Sequence, residues 1–477
     1  MLSVRFFYTK EDPMDEKERA QYEKLIRTPV VRLIPSLAVP TVISMLISMI
    51  YNLVDAYFVG KLGTSASAAI GIMISVQAVF QAVGFMCGHG CGSCMSRQLG
   101  SGNHTAADRY VSTGFFTAIA IGTVLAVPGL VFKTPLMRFL GSTDTILPYA
   151  ESYGFYILAA GPAFAASAVL NNVMRYEGKA VLAMVGLVSG GVLNMIGDPV
   201  LMFGLHMGID GAGLSTAVSQ YISFFILLWM FISGRTITRI SLAGITRDVR
   251  EFLLILRNGM PSLIRQMLNS VATMTLNICA APYGDAAIAA MTIVGRVTLL
   301  MGSVMIGIGQ GFQPVSAFNY GASKFKRVRE GFWFTSGMGA LLLTGFACFA
   351  FLFPASIIRI FRDDAEVVRI GTPALRCMCV AVILQPVSVS ANMMFQSIGK
   401  SRTASFLSAL RSGLYYIPLL LLLPRFIGIA GIQSAQMFSD ILTLLTTVPF
   451  LVRFFRELPR EDRRAVIDEM YEGKERE

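Results

Sequence analysis

Apolar runs of helical length, separated by short segments rich in glycine, proline and charge, recur along the whole chain. They fall roughly at residues 36–58, 66–96, 110–132, 148–173, 181–203, 210–233, 259–282, 286–318, 330–353, 373–397, 404–424 and 429–452. Each supplies the roughly 20 residues with which an α-helix crosses a bilayer, and none alternates over about ten residues as a membrane β-strand does. The pattern predicts an all-α integral membrane protein with about twelve transmembrane helices. Two stretches depart from it. Residues 246–259, TRDVREFLLILRNG, put Val249, Phe252, Leu253 and Leu256 on one face with charges opposite, as in a helix lying on a membrane surface. The end from Arg456 is polar and reads as a short exposed helix with a frayed terminus.

A repeat is superposed on this pattern. An offset of 221 pairs Pro40 with Pro261, Gly63 with Gly284, Gly88 with Gly309, Gly90 with Gly311, Gly100 with Gly321, Asn171 with Asn392 and Lys179 with Lys400. Helix breakers falling at one offset across most of each half indicate two copies of a six-helix unit. Six spans return the chain to its starting side, so the copies form two six-helix lobes related by a pseudo-twofold axis along the membrane normal. The expected division is an N-terminal segment at 1–35, an N-lobe at 36–233, a linker at 234–258, a C-lobe at 259–453 and a tail at 454–477. Substrate is expected between the lobes.

Composition and charge sharpen the class. With 54% hydrophobic and 14% charged residues the chain is too apolar for an ordinary soluble protein. A net charge of +11 would suggest nucleic acid in a soluble chain. Here the arginines and lysines concentrate in alternate loops and both tails, which by the positive-inside rule puts both termini in the cytoplasm. We therefore expect a multi-pass protein of the cell membrane, its surroundings lipid and not nucleic acid. The seven cysteines lie in or beside apolar runs, without the spacing of a disulfide framework. Cys87, Cys91 and Cys94 share a helical face near His89, a pattern a metal could use. Gly84, Gly88 and Gly92 in the same helix favour close helix packing instead, and no metal site is expected. Asp363, Asp364 and Glu366 lie among Arg359, Arg362 and Arg369, which reads as a solvated charge patch and not as an enzyme's metal cluster.

Ionisable groups inside the apolar runs are the candidate chemistry, because a charge there is costly unless it faces protein or a water-filled cavity. Asp55 lies near the outer end of the first span, Asp198 near that of the fifth and Thr216 just inside that of the sixth. At about 1.5 Å rise per residue all three sit at similar depth. Asn194, four residues before Asp198, shares its face. Two carboxylates, an amide and a hydroxyl are hard oxygen ligands for a small cation. Crowding and desolvation would alternatively let one carboxylate carry a proton. The second copy lacks these acids: Asp55 corresponds to Leu276 and Asp198 to Leu419. It holds Arg265, Arg296 and Arg411 within spans, with Asp440 as counter-charge. Equal depth favours an ion pair of Arg296 with Asp440, with Arg411 the second choice.

The proline-containing first span with Asn52, Asp55 and FVGKLG, the stretch AAIGI, the loop RQLGSGN, its counterpart QGFQPVSAFNYGA and the sequence NMIGDP together resemble the multidrug and toxic compound extrusion (MATE) family, over nearly all of residues 30–455. The resemblance implies a cation-coupled antiporter without cofactor or catalytic residues, in which entry of Na⁺ or H⁺ drives export of organic cations and other amphiphilic drugs. It implies that Asp55, Asn194, Asp198 and Thr216 match the cation site of a prokaryotic branch with an N-lobe site. For the substrate cavity, Tyr51 lies one turn before Asp55, and Tyr153 and Asn171 resemble polar positions lining the family's N-lobe cavity. The span-seven glutamate of other branches is replaced by Asn269. A functional monomer is expected. The alternatives are a lipid-linked oligosaccharide flippase, which usually has two more spans and a cationic central cavity, and a membrane-embedded enzyme.

Overall fold

The computed structural model describes residues 16–459 and 461–462. In chain order the helices are α1 (Glu16–Arg27), α2 (Val30–Gly60), α3 (Thr64–Ser101), α4 (His104–Val131), α5 (Lys133–Phe139), α6 (Leu147–Tyr176), α7 (Ala180–Pro199), α8 (Ile209–Ile232), α9 (Val249–Ala280), α10 (Asp285–Gly321), α11 (Phe325–Leu352), α12 (Pro354–Phe361), α13 (Ala365–Ser397), α14 (Ser401–Ala409), α15 (Tyr416–Ile427) and α16 (Ile429–Glu457). Wide, π-helical turns extend α7 over Val200–Gly204 and join α14 to α15 over Leu410–Leu414. Among the described residues eleven helical segments are long and apolar enough to cross a membrane. The twelfth long helix, α9, is as long as the others but carries Arg257, Arg265, Gln266 and Asn269. Its outward face stays apolar, with Met267, Val271, Met274 and Ile278 exposed, so the polar residues lower its mean hydropathy without removing a lipid-facing side.

The expected surface helix is not a separate element. Residues 249–258 form the first turns of α9, and the buried positions there are Ile255 and Asn258, whereas Val249 is 67% exposed. Continuity is favoured because Asp248 caps the helix, accepting the Arg250 N–H at 2.8 Å, and nothing interrupts the turns between them and Pro261. Short helices α5 and α12, on the far side from the termini, were not legible as elements. The tail helix expected beyond Arg456 lies almost wholly outside the described residues; α16 itself runs to Glu457.

The sequence repeat is a structural repeat. Asn171 Nδ2 donates to the Ala183 carbonyl at 2.7 Å, and Asn392 Nδ2 donates to Ala404, 221 positions on, at the same distance. Gly88 lies against Asn172 and Gly309 against Met393, again one offset apart. Within the N-lobe a Cβ at Gly84, Gly88 or Gly92 would come 2.6, 3.0 and 2.5 Å from Ala168, Asn172 and Tyr176. The glycine stripe of α3 thus seats α6 at a distance only a missing side chain permits.

The two lobes, α2 to α8 and α9 to α16, meet on one side only. One hydrophobic cluster on the side of the termini draws from both, including Leu33, Met86, Ile255, Phe318 and Phe395. On the opposite side the core divides, one cluster around Val59, Met73 and Tyr153 in the N-lobe and another around Ala290, Val294 and Leu420 in the C-lobe. The joined side is closed by pseudo-symmetric glycine contacts. A side chain at Gly100 would overlap the Phe318 carbonyl and one at Gly321 the Arg97 carbonyl, and 97 and 318 are themselves repeat mates. Gln81 and Gln266 join α3 to α9 across the lobes at 3.2 Å.

Candidate functional site

Between the lobes lies a cavity of about 330 Å³, walled mostly by the N-lobe, with α9 and α10 contributing Arg265, Gln266, Ser303 and Gln310. Asp55, Asn194 and Thr216 line its wall. Asp198 lies behind that wall, fully buried.

Local structure brings these groups together. Pro199 has no N–H to continue the α-helical ladder, and after it the backbone widens into the π-helical turn Val200–Gly204. Asp198 is thereby held at the end of α7, one turn from Asn194. The Asn194 amide donates to Asp198 Oδ1 at 3.1 Å, to Thr216 Oγ1 at 3.2 Å and to Ser215 Oγ at 3.4 Å. Ser215 in turn donates to the Asn194 carbonyl at 3.3 Å. The Asp55 and Asp198 carboxyl groups are close neighbours that act directly on each other. Asp55 Oδ1 and Asp198 Oδ2 are buried without a hydrogen-bond partner. Two such oxygens on neighbouring carboxyl groups, with no cationic side chain paired to them, suit a bound small cation or a shared proton. No group of three or more His, Cys, Asp and Glu among the described residues is arranged as a metal centre.

The C-lobe carboxylate is placed differently. Asp440 is 3% exposed, and its Oδ1 accepts from Arg411 Nε at 2.9 Å and from Gln436 at 3.1 Å, while Oδ2 accepts from Gln385 at 3.3 Å. The pair expected between Arg296 and Asp440 is therefore not formed. Arg296 lies on an exposed face of α10, whereas the π-helical turn of Leu410–Leu414 turns Arg411 toward α16. Asp440 is neutralised from within the protein; Asp55 and Asp198 are not.

The cavity residues expected from the resemblance divide. Tyr51 lines the wall. Asn171 lines it too, but its amide is committed to Ala183, and its repeat mate Asn392 does the same in the other lobe, which marks this contact as helix packing. Tyr153 is not part of the wall. It is 1% exposed in the N-lobe core, one turn beyond the lining residue Ile157, with its hydroxyl against Thr216. The resemblance that named Tyr153 does not carry the face it presents. Neither Arg175 nor Arg265 is expected at the cavity from the sequence: Arg265 reads only as a charge within a span, and Arg175 falls just past the apolar run at 148–173.

Two like-oriented lobes joined on one side around a polar cavity, with charged groups held at membrane depth, define a membrane transporter. The MatE family model matches residues 40–200 and 261–422, one match in each lobe, and the chain belongs to this family. It is a transporter family, not one of enzymes. The chain is 26% identical over 420 residues to the multidrug export protein MepA of Staphylococcus haemolyticus, covering 87% of this chain and 91% of that protein. It is 25% identical over 440 residues to the same-named protein of Staphylococcus aureus, covering 91% and 96%. Among solved structures, an outward-facing MATE family multidrug resistance transporter of the MOP superfamily superposes with a TM-score of 0.86 at 23% identity, over 92% of this chain and 99% of that one. A crystal structure of MATE in the straight conformation gives 0.86 at 23%, over 92% and 98%.

Proposed function

We propose that this chain is a secondary active multidrug exporter that antiports organic cations and other amphiphilic compounds against Na⁺ or H⁺ by alternating access. The observation that carries the reading is the asymmetry between the lobes. The N-lobe carboxylates are close neighbours with unpartnered oxygens, while the C-lobe carboxylate has its own guanidinium. Asp55, Asp198, Asn194 and Thr216 are the coupling site in this reading, with Tyr51 in the drug cavity. The MepA relatives, named as multidrug export proteins, support the activity. The single chain is the working unit, needs no cofactor, and sits in the cytoplasmic membrane with both termini inside. The division at 1–35, 36–233, 234–258, 259–453 and 454–477 stands as its domain plan, the linker helix now continuous with α9. In this orientation the joined side is cytoplasmic and the structure is open outward.

Coupling requires that the ion bind the outward-open and inward-open forms with different affinity. The test is dye efflux from proteoliposomes with Na⁺ and pH gradients imposed separately. Asp55→Asn or Asp198→Asn should abolish gradient-driven efflux with folding retained, while drug binding falls less than transport. Wild-type pumping by both single mutants would remove the N-lobe assignment.

A further inference from the structure

The inner end of the cavity carries charge opposite to its Asp55 end. Arg175 and Arg265 both line it, one from each lobe. Arg175 donates to Gln310 Oε1, a neutral acceptor. Arg265 has no hydrogen-bond or ion-pair partner among the described residues. The titratable groups that act on Arg265 and on its neighbour His89 are Tyr176, Arg411 and Arg175, none of them a carboxylate. Asp55 does not serve as the counter-charge. Arg265 is the repeat mate of Ser44, eleven residues before Asp55 on α2, a separation of about 16 Å along a helix.

The fold itself does not ask for these charges. At the offset of 221, Arg175 corresponds to Gln396 and Arg265 to Ser44. Both mates are buried and satisfied within the same packing. Gln396 donates to the Asn258 carbonyl and Ser262 Oγ at 3.3 and 2.8 Å, and Ser44 to the Pro40 carbonyl at 2.8 Å. Two guanidiniums at positions where neutral residues suffice are costly unless something pairs with them. Once a cation or proton occupies the Asp55–Asp198 pair, they dominate the field in the cavity.

We infer that Arg175 and Arg265 form the subsite of the cavity that takes an acidic group of the exported compound, with the compound's cationic end toward Asp55. Guanidinium is the side chain best suited to this, since its planar N–H fork matches a carboxylate in two parallel hydrogen bonds. The inference rests on the export reading above and deepens it.

The test is fluorescence anisotropy on the purified full chain in neutral detergent, with rhodamine B, which has a free carboxylate, and its ethyl ester, in which an ethyl group caps that carboxylate and removes its charge. The acid should bind at least about fivefold more tightly than the ester, and Arg265→Gln should weaken the acid about tenfold and the ester less than about twofold, as expected for loss of a charge-assisted pair. Arg265→Lys, which keeps the charge without the fork, should recover part of the loss. Equal weakening of both dyes, or no preference for the acid, overturns the inference. If ethidium binds and is exported while the acid is not preferred, this inference alone fails; if neither ethidium nor the rhodamines bind, the export reading fails with it. Displacement of the acid by phosphatidylglycerol in nanodiscs, and not by phosphatidylcholine, would assign the arginines to a lipid headgroup and overturn the small-molecule reading.

Discussion

Three carboxylates in these spans, Asp55 at the cavity wall and Asp198 and Asp440 buried, have two different fates, and the difference lies in what reaches their oxygens. Asp440 has a guanidinium and two amides within hydrogen-bond distance. Removing one member of such a pair leaves a charge in low dielectric and costs about 3–5 kcal/mol for a fully buried pair, less here because the Arg411 side chain is 30% exposed. Arg411→Gln should therefore lower the thermal unfolding midpoint in detergent, and adding Asp440→Asn should restore much of it; a double mutant no better than the single would show that the pair is not a unit. At the N-lobe site the Asn194 amide is the hub that orients Asp198, Ser215 and Thr216. Asn194→Ala should shift the ion concentration giving half-maximal efflux by about tenfold or more with little change in unfolding midpoint, the scale of about 1.4 kcal/mol for a lost hydrogen bond to a charge. Depth along a helix was legible for all of these residues. Facing was not, which is why depth alone prefers Arg296 to Arg411, and why resemblance alone puts Tyr153 at a cavity wall it does not join.

At the scale of the element, the apolar runs and the glycine pattern were the legible features, because span length and close helix approach depend on composition that a sequence displays. The π-helical turns at 200–204 and 410–414 were not. Their hydrogen bonds are backbone bonds, and only Pro199 hints at the first. The linker misleads for a related reason: an amphipathic face at 249–258 looks the same whether it lies on lipid or continues into a span. The glycines at the lobe contact carry a sharper expectation. A methyl group at Gly100 or Gly321 would meet a backbone carbonyl of the other lobe, which cannot swing away as a side chain can. Gly100→Ala and Gly321→Ala should therefore weaken closure on the termini side, raising the thiol-labelling rate of a cysteine introduced at Gln310, in the cavity floor. Gly337→Ala, on a helix surface with nothing within 4 Å, should leave labelling unchanged. Equal labelling in all three would mean that the close backbone approach does not hold this side shut.

For the whole molecule, the repeat at one offset foretold both the lobes and their relation, and the structure adds where they touch. A shared core on the termini side and divided cores on the other mean that the lobes can pivot about an interface without unpacking either one. Tightly packed interiors are not continuously deformable, so such a molecule moves between discrete arrangements of whole lobes. Transport by this route needs the open side to close. The Gln81–Gln266 contact marks the inner edge of the opening, and Gln77 and Ser270 lie one turn farther out on α3 and α9. Cysteines at these two positions, with the exposed Cys348 replaced by Ser, should form a disulfide under mild oxidation only when the lobes close on that side. Complete crosslinking should stop efflux, and reduction should restore it. Efflux that continues unchanged through complete crosslinking would show that this side need not reopen during the cycle, and the pivoting of lobes would have to be abandoned for a motion within the N-lobe alone.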